Sequence, residues 1–171
     1  MSLFSLNLET LRDLYLNELR DLYSAETQLI DALPKMAEAA TAPDLKQAFL
    51  DHLEQTHGHA ERLEQIFDDL GEKPSGETCD AMKGLIKEGE GYVKAGGSDE
   101  VRDAGIIGAA QRVEHYEIAA YGTARALALR LGETSAADLL QETLDEEVDA
   151  DALLTDLAEG HVNADASAAT R

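Results

Sequence analysis

The chain has 171 residues, 44% of them hydrophobic, which suits one compact domain with a sizeable core. Lys and Arg number 14 against 35 Asp and Glu, a formal net charge of −21, so nucleic acid and anionic membrane surfaces are excluded as partners and cations are favoured. A single cysteine, Cys79, rules out an internal disulfide and fits a reducing cytoplasm; no basic n-region marks the start as a signal peptide, and no run of roughly 18 apolar residues could cross a membrane.

Sustained period-two alternation is absent and Ala, Leu and Glu dominate, so the class is all-α. The first predicted helix covers about 7–38, capped by Asn7, with an apolar stripe through Leu11, Tyr15, Leu19, Leu22, Leu29 and Leu33 and a bend expected at Pro34. Thr41-Ala42-Pro43 breaks it, and Pro43 suits the first position of a second helix running to about 70, where G-E-K-P-S-G stops it. A weaker helix is expected over 77–94. Ser98 can cap a third long helix that ends near Leu131-Gly132. The fourth starts at Ser135, where Asp138 completes a pattern like a capping box, and ends near Gly160. The domain is therefore 1–160, with 161–171 expected as a flexible tail. Short links within each helix pair and a connection of about 27 residues between the pairs describe a ferritin-like four-helix bundle with a short extra helix in the crossover.

Acids fall on stripes that should face the core. On a helical projection Glu26 aligns with Tyr15, Leu22 and Leu33; Glu114 sits among Ile107, Ala110, Val113, Ile118 and Tyr121, with Glu117 beside it; Glu147 and Asp151 lie in a row with Leu140, Leu144 and Leu154. A carboxylate facing a core costs several kcal/mol unless it is protonated, paired or bound to a cation. Few basic residues share these stripes, so convergence at one height points to a metal. Oxygen-rich ligands with imidazole suit iron or manganese and admit zinc. The second helix offers two pairs of donors. E-Q-T-H at 54–57 matches the Glu-x-x-His pattern of di-iron bundles, but the projection turns Glu54 outward and puts His57 at the margin, while His52 and His59 fall inside. The projection favours His52 and His59, and Gly58 leaves room for a phase shift toward Glu54 and His57.

The stretches L-Y-S-A-E-T-Q-L (22–29), H-L-E-Q-T-H-G-H-A-E-R-L-E-Q (52–65), V-E-H-Y-E-I-A-A-Y-G-T (113–123) and E-T-L-D-E-E-V-D-A-D (142–151) closely resemble the YciF/YciE type of bacterial stress-associated protein, a branch of the ferritin-like superfamily. The resemblance spans about 8–160. It implies a dimeric bundle with a dinuclear site like that of rubrerythrin, with Glu26, Glu114 and Glu147 as core carboxylates and Glu114 with Glu117 as the paired acids of the third helix. Asp151 stands near a position where many relatives in the superfamily use histidine, and no rubredoxin-like four-cysteine module is present.

Two functions are therefore expected. One is a redox protein in which Glu114 and Glu147 bridge two iron ions that meet peroxide or dioxygen, Glu26 and a second-helix histidine acting as terminal ligands. The other is a metal-binding or structural stress protein without catalysis. Homodimerisation is expected from apolar positions such as Leu16, Leu127 and Leu129 that the bundle can spare.

Overall fold

The computed structural model describes residues 7–169, and among these every regular element is helical. Helix α1 spans Leu11–Ala39, α2 Pro43–Leu70, α3 Asp80–Val93, α4 Asp99–Leu131 and α5 Thr134–Leu157; a π-helical turn, Ala158–Val162, leads into α6, Asn163–Ala169. No helix among the described residues is long and apolar enough to cross a membrane.

Local chemistry sets the boundaries. The cap of α1 is Thr10 rather than Asn7: Thr10 Oγ1 accepts from Asp13 N at 3.1 Å while Thr10 N donates to Asp13 Oδ2 at 2.8 Å, a reciprocal pair that Asn7 cannot form. The helix continues through Pro34. Helices α2 and α4 end on Gly71 and Gly132, whose φ of 68° and 83° are left-handed values that a glycine adopts without strain. Ser98 caps α4. Helix α5 begins one residue before Ser135, behind Glu133, and no side chain caps it, so the expected box at Ser135 and Asp138 does not form.

The end of the chain departs from expectation. The helix does not fray after Gly160 but continues through the π turn to Ala169, with Val162 buried. In a regular helix the residue seven after Leu154, His161, would face the core. The wide turn absorbs one residue. Val162 takes the inward place, and His161 reaches outward to Asp44 at 3.3 Å.

Helices α1 and α2 form one antiparallel hairpin and α4 and α5 the other; α1 also packs on α4, and α2 on α5. The α1–α2 link lies against the start of α4, because Asp103 takes hydrogen bonds from Thr41 N, Thr41 Oγ1 and Ala42 N. At the other end Arg12 reaches both Glu72 and Glu133. Neighbouring helices around the ring therefore run antiparallel. Helix α3 lies outside against α1 and α4, and Tyr92 sits so close to α4 that a Cβ at Gly105 would meet its ring at 2.6 Å.

The core is divided. One apolar cluster holds Leu29, Leu33, Phe49, Ile106, Ile107 and Leu154; the other holds Tyr15, Leu19, Leu22, Leu63, Phe67 and Leu140. Each long helix passes from one cluster to the other through a polar turn: Glu26 on α1, His52, Thr56 and His59 on α2, Glu114 and Glu117 on α4, Thr143 and Glu147 on α5, all buried. Leu16, expected as a spare surface residue, is core; Leu127 is partly buried; Leu129 is exposed.

Candidate metal centre

The polar belt gathers two groups of donors. His52, Glu114, Glu117 and Glu147 offer ligand atoms within 4.8 Å of one another, and so do Glu26, His59 and Glu147. Glu147 belongs to both. Glu114, expected as a second bridging acid, belongs to one. Six of the seven residues proposed from sequence meet here. Asp151 does not: one turn beyond Glu147 it rotates toward α4, where it is half-buried, accepts from Gln111 Nε2 at 3.3 Å and lies 3.6 Å from His115 Nδ1. Glu54 and His57 are exposed, so the helix stays regular through Gly58 and the E-Q-T-H pattern faces solvent.

The two imidazoles share one arrangement. His59 Nε2 lies 2.8 Å from Glu146 Oε2, and His52 Nδ1 lies 3.3 Å from Gln55 Oε1. Both outer partners are acceptors, so the outer nitrogens carry the protons. The inner nitrogens face acids. His52 Nε2 is 3.6 Å from Glu114 Oε2 and 3.7 Å from Glu147 Oε2; His59 Nδ1 is 3.0 Å from Glu147 Oε1 and 3.5 Å from Glu26 Oε1. None of these inner contacts is aligned as a hydrogen bond, and both inner nitrogens are buried without a hydrogen-bond partner, as are Glu26 Oε2, Glu114 Oε2 and both oxygens of Glu117 and of Glu147. Arg62 closes the outside of His59. Its two terminal nitrogens hold both oxygens of Glu146 at 2.7 and 2.9 Å, and one also donates to Thr143 Oγ1. Tyr121 donates from its hydroxyl to Glu26 Oε1.

The electrostatics follow from this crowding. Burial raises the pKa of Glu114 and Glu117 well above the usual carboxylate range, and the charge of neighbouring acids adds to it. Glu26 is raised by burial against the opposing pull of His59. Glu147 goes the other way, because His59 and His52 outweigh the effect of burial. Burial would depress His59, but Glu147 and Glu26 overcome it and hold His59 up at about 10.

Four carboxylates and two outward-anchored imidazoles, sharing one acid, fit a pair of divalent cations. Unpartnered buried oxygens and nitrogens are the expense a cation would remove, and an imidazole fixed by an outer acceptor is how a metal-ligating histidine is held. Two parts of this arrangement, Glu146 and Arg62, are not among the candidates that the sequence offers: each is defined by what lies across from it on the facing helix, and neither leaves a periodic signal.

Comparison with known proteins places this geometry in company. A domain of unknown function, DUF892, matches residues 10–167. Protein YciF of Escherichia coli (strain K12) is 48% identical over 159 residues, covering 92% of this chain and 96% of that protein. The crystal structure of the E. coli stress protein YciF superposes with a TM-score of 0.88 over 91% of this chain and 99% of that one. YcfI, a proposed structural protein from Rhodopseudomonas palustris, is 47% identical and superposes at 0.85 over 89% and 97%. A Xanthomonas campestris protein at 22% identity shares the fold, with a TM-score of 0.72.

Proposed function

The chain belongs to the DUF892 family, and from that footing we propose that it is a stress-associated bundle protein whose core binds two divalent metal ions, iron first among them, in the service of peroxide- or dioxygen-linked redox chemistry. The stress association comes from the likeness to YciF. The metal reading rests on one observation above the rest: His52 and His59 each turn a hydrogen-bonded nitrogen outward and one without a hydrogen bond inward, toward Glu26, Glu114 and Glu147, each of which keeps at least one buried oxygen without a hydrogen-bond partner. A structural histidine inside a bundle would satisfy both.

His52, Glu114 and Glu117 would hold one ion, Glu26 and His59 the other, with Glu147 between them. Bound iron would supply the one-electron steps that carbon-based side chains cannot. The protein's part is to hold and shelter. Glu146 and Gln55 fix the imidazole planes, Tyr121 orients Glu26, and the two apolar clusters above and below keep bulk water away. The functional unit is proposed as a homodimer, for which exposed Leu129 and partly buried Leu127 on α4 offer apolar surface; light scattering should give twice the 18.5 kDa of the chain.

A second reading has its own support. His59 already compensates the charge of Glu147 and Glu26, so the belt can persist without metal, and YcfI was proposed to be structural. Metal analysis after loading with ferrous iron without air tests the first reading. Wild type should hold roughly two ions per chain, Glu26→Ala roughly one, Glu147→Ala almost none, and Glu54→Ala the full complement. Retention of both ions by Glu147→Ala would remove the shared-ligand site. Iron-dependent consumption of added peroxide then separates redox from structural use.

A further inference from the structure

Five of the six inner donors cannot be reached through their own helices: Glu26, His59, Glu117 and Glu147 are 0% exposed and Glu114 3%. A cation must nevertheless reach them. The apolar cavity under α3, between Leu29, Met36, Ile86 and Val113, touches none of the six. A second cavity, of about 270 Å3, does. It opens between α2 and α5, with exposed Asp51 and Asp149 among its outer residues and His52 and Glu114 among its lining. His52 and Glu114 are more than nine-tenths buried, and each contributes an atom without a hydrogen-bond partner.

We propose that this cleft is the port through which divalent cations reach the buried centre, with Asp51 and Asp149 as its electrostatic mouth and His52 as the first donor inside. The proposal rests on the metal reading above and adds the route, which that reading leaves open. The same helix pair is not uniformly attractive. Asp51, His52 and Gln55 border the cleft, whereas two turns further along α2 Arg62 plugs the α2–α5 seam, clamped on Glu146 and Thr143. An approaching cation meets carboxylates at one place and a guanidinium at the other. The low-dielectric flanks of the cleft, Phe49, Leu153 and Leu154, concentrate the field of the two aspartates along it. Neither aspartate belongs to the two donor groups. Asp51 is held by Gln47 Nε2 at 2.7 Å, which leaves its second oxygen free to receive a hydrated ion. The cleft leads to the group containing His52, so the Glu26–His59 position fills through the one beside it, by way of Glu147.

Stopped-flow loading with Co2+, followed by its visible absorption, tests the route without reference to any activity of the loaded protein. Asp51→Asn with Asp149→Asn should slow loading about 3- to 10-fold at low ionic strength while leaving the final stoichiometry unchanged, and the difference should shrink near 0.5 M salt. Asp68→Asn with Asp69→Asn is the charge-matched control, exposed at the far end of α2, and should load at the wild-type rate. Ala150→Trp, which fills the cleft, should slow loading at every ionic strength. If the Asp51/Asp149 variant loads no more slowly than the Asp68/Asp69 variant, the port is wrong even though the centre stands. If wild type takes up no Co2+, it is the centre that fails.

Discussion

At the scale of single residues, the carboxylates could be read from the sequence because a helix projects its stripe with a fixed period, and a charge among leucines is conspicuous. Glu26, Glu114, Glu117 and Glu147 were legible for that reason, and so were His52 and His59 once Phe49 and Leu63 fixed the inner face of α2. Asp151 falls outside the group because the inward stripe is narrow: Leu140, Glu147 and Leu154 recur every seven residues, and Asp151 sits about 40° to one side. Outer partners such as Glu146 leave no periodic trace, since they are defined by what lies across from them. Tyr15 carries a different message. Its side chain is wholly buried and its hydroxyl has no hydrogen-bond partner. Burial, aided by Glu133, raises its pKa from 10 to about 12. The folded chain thus binds a proton that the unfolded chain releases between those values, so this contribution is intact below pH 10 and is lost as pH rises toward 12. Tyr15→Phe should leave stability at pH 7 within about 1 kcal/mol of wild type or raise it, and should flatten the fall in melting temperature between pH 10 and 12. A loss of several kcal/mol at pH 7 would show that the hydroxyl has a partner.

At the scale of elements, lengths, order and the caps at Ser98, Gly71 and Gly132 were legible, while the N-terminal caps of α1, α2 and α5 were not. Glycine at Gly71 and Gly132 and proline at Pro43 act through backbone geometry, which sequence shows directly. The cap of α2 acts through space. Ala42 has no side-chain acceptor, and Asp103, 61 residues later on α4, replaces it by accepting from Thr41 N at 3.0 Å, Thr41 Oγ1 at 2.6 Å and Ala42 N at 2.7 Å. This buried carboxylate satisfies the two amides just ahead of α2, those of Thr41 and Ala42, and complements the positive end of the helix. It also pins the start of α4 to the first hairpin. Asp103→Ala should therefore cost about 2–4 kcal/mol in denaturant unfolding, and Asp103→Asn less. If the alanine variant loses under about 0.5 kcal/mol, the cap is dispensable. The π turn was invisible for a related reason: a seven-residue count from Leu154 points to His161, and only contact with the core shows that Val162 is the better fit.

At the scale of the whole molecule, the −21 charge and the ring of four helices are consistent with one another, because a bundle presents long polar faces that tolerate acids. The sequence places acids at one height of the interior, and the structure shows how the apolar residues divide on either side of them. A bundle of this length normally has one continuous apolar seam, strongest at mid-height and weakest at its ends. Here mid-height is where Glu26, His59, Glu114, Glu117 and Glu147 interrupt the seam between two apolar blocks. The molecule is mechanically two rafts joined by a hinge of charge. Opening should begin at its waist: with metal chelated, amides around 56–60, 114–118 and 144–148 should exchange with deuterium sooner than those of 63–67 or 106–110, an inversion of the end-fraying that helices ordinarily show. A pair of divalent cations, together drawing all four long helices inward, would then act less as cargo than as the rivet that makes two short bundles behave as one long one.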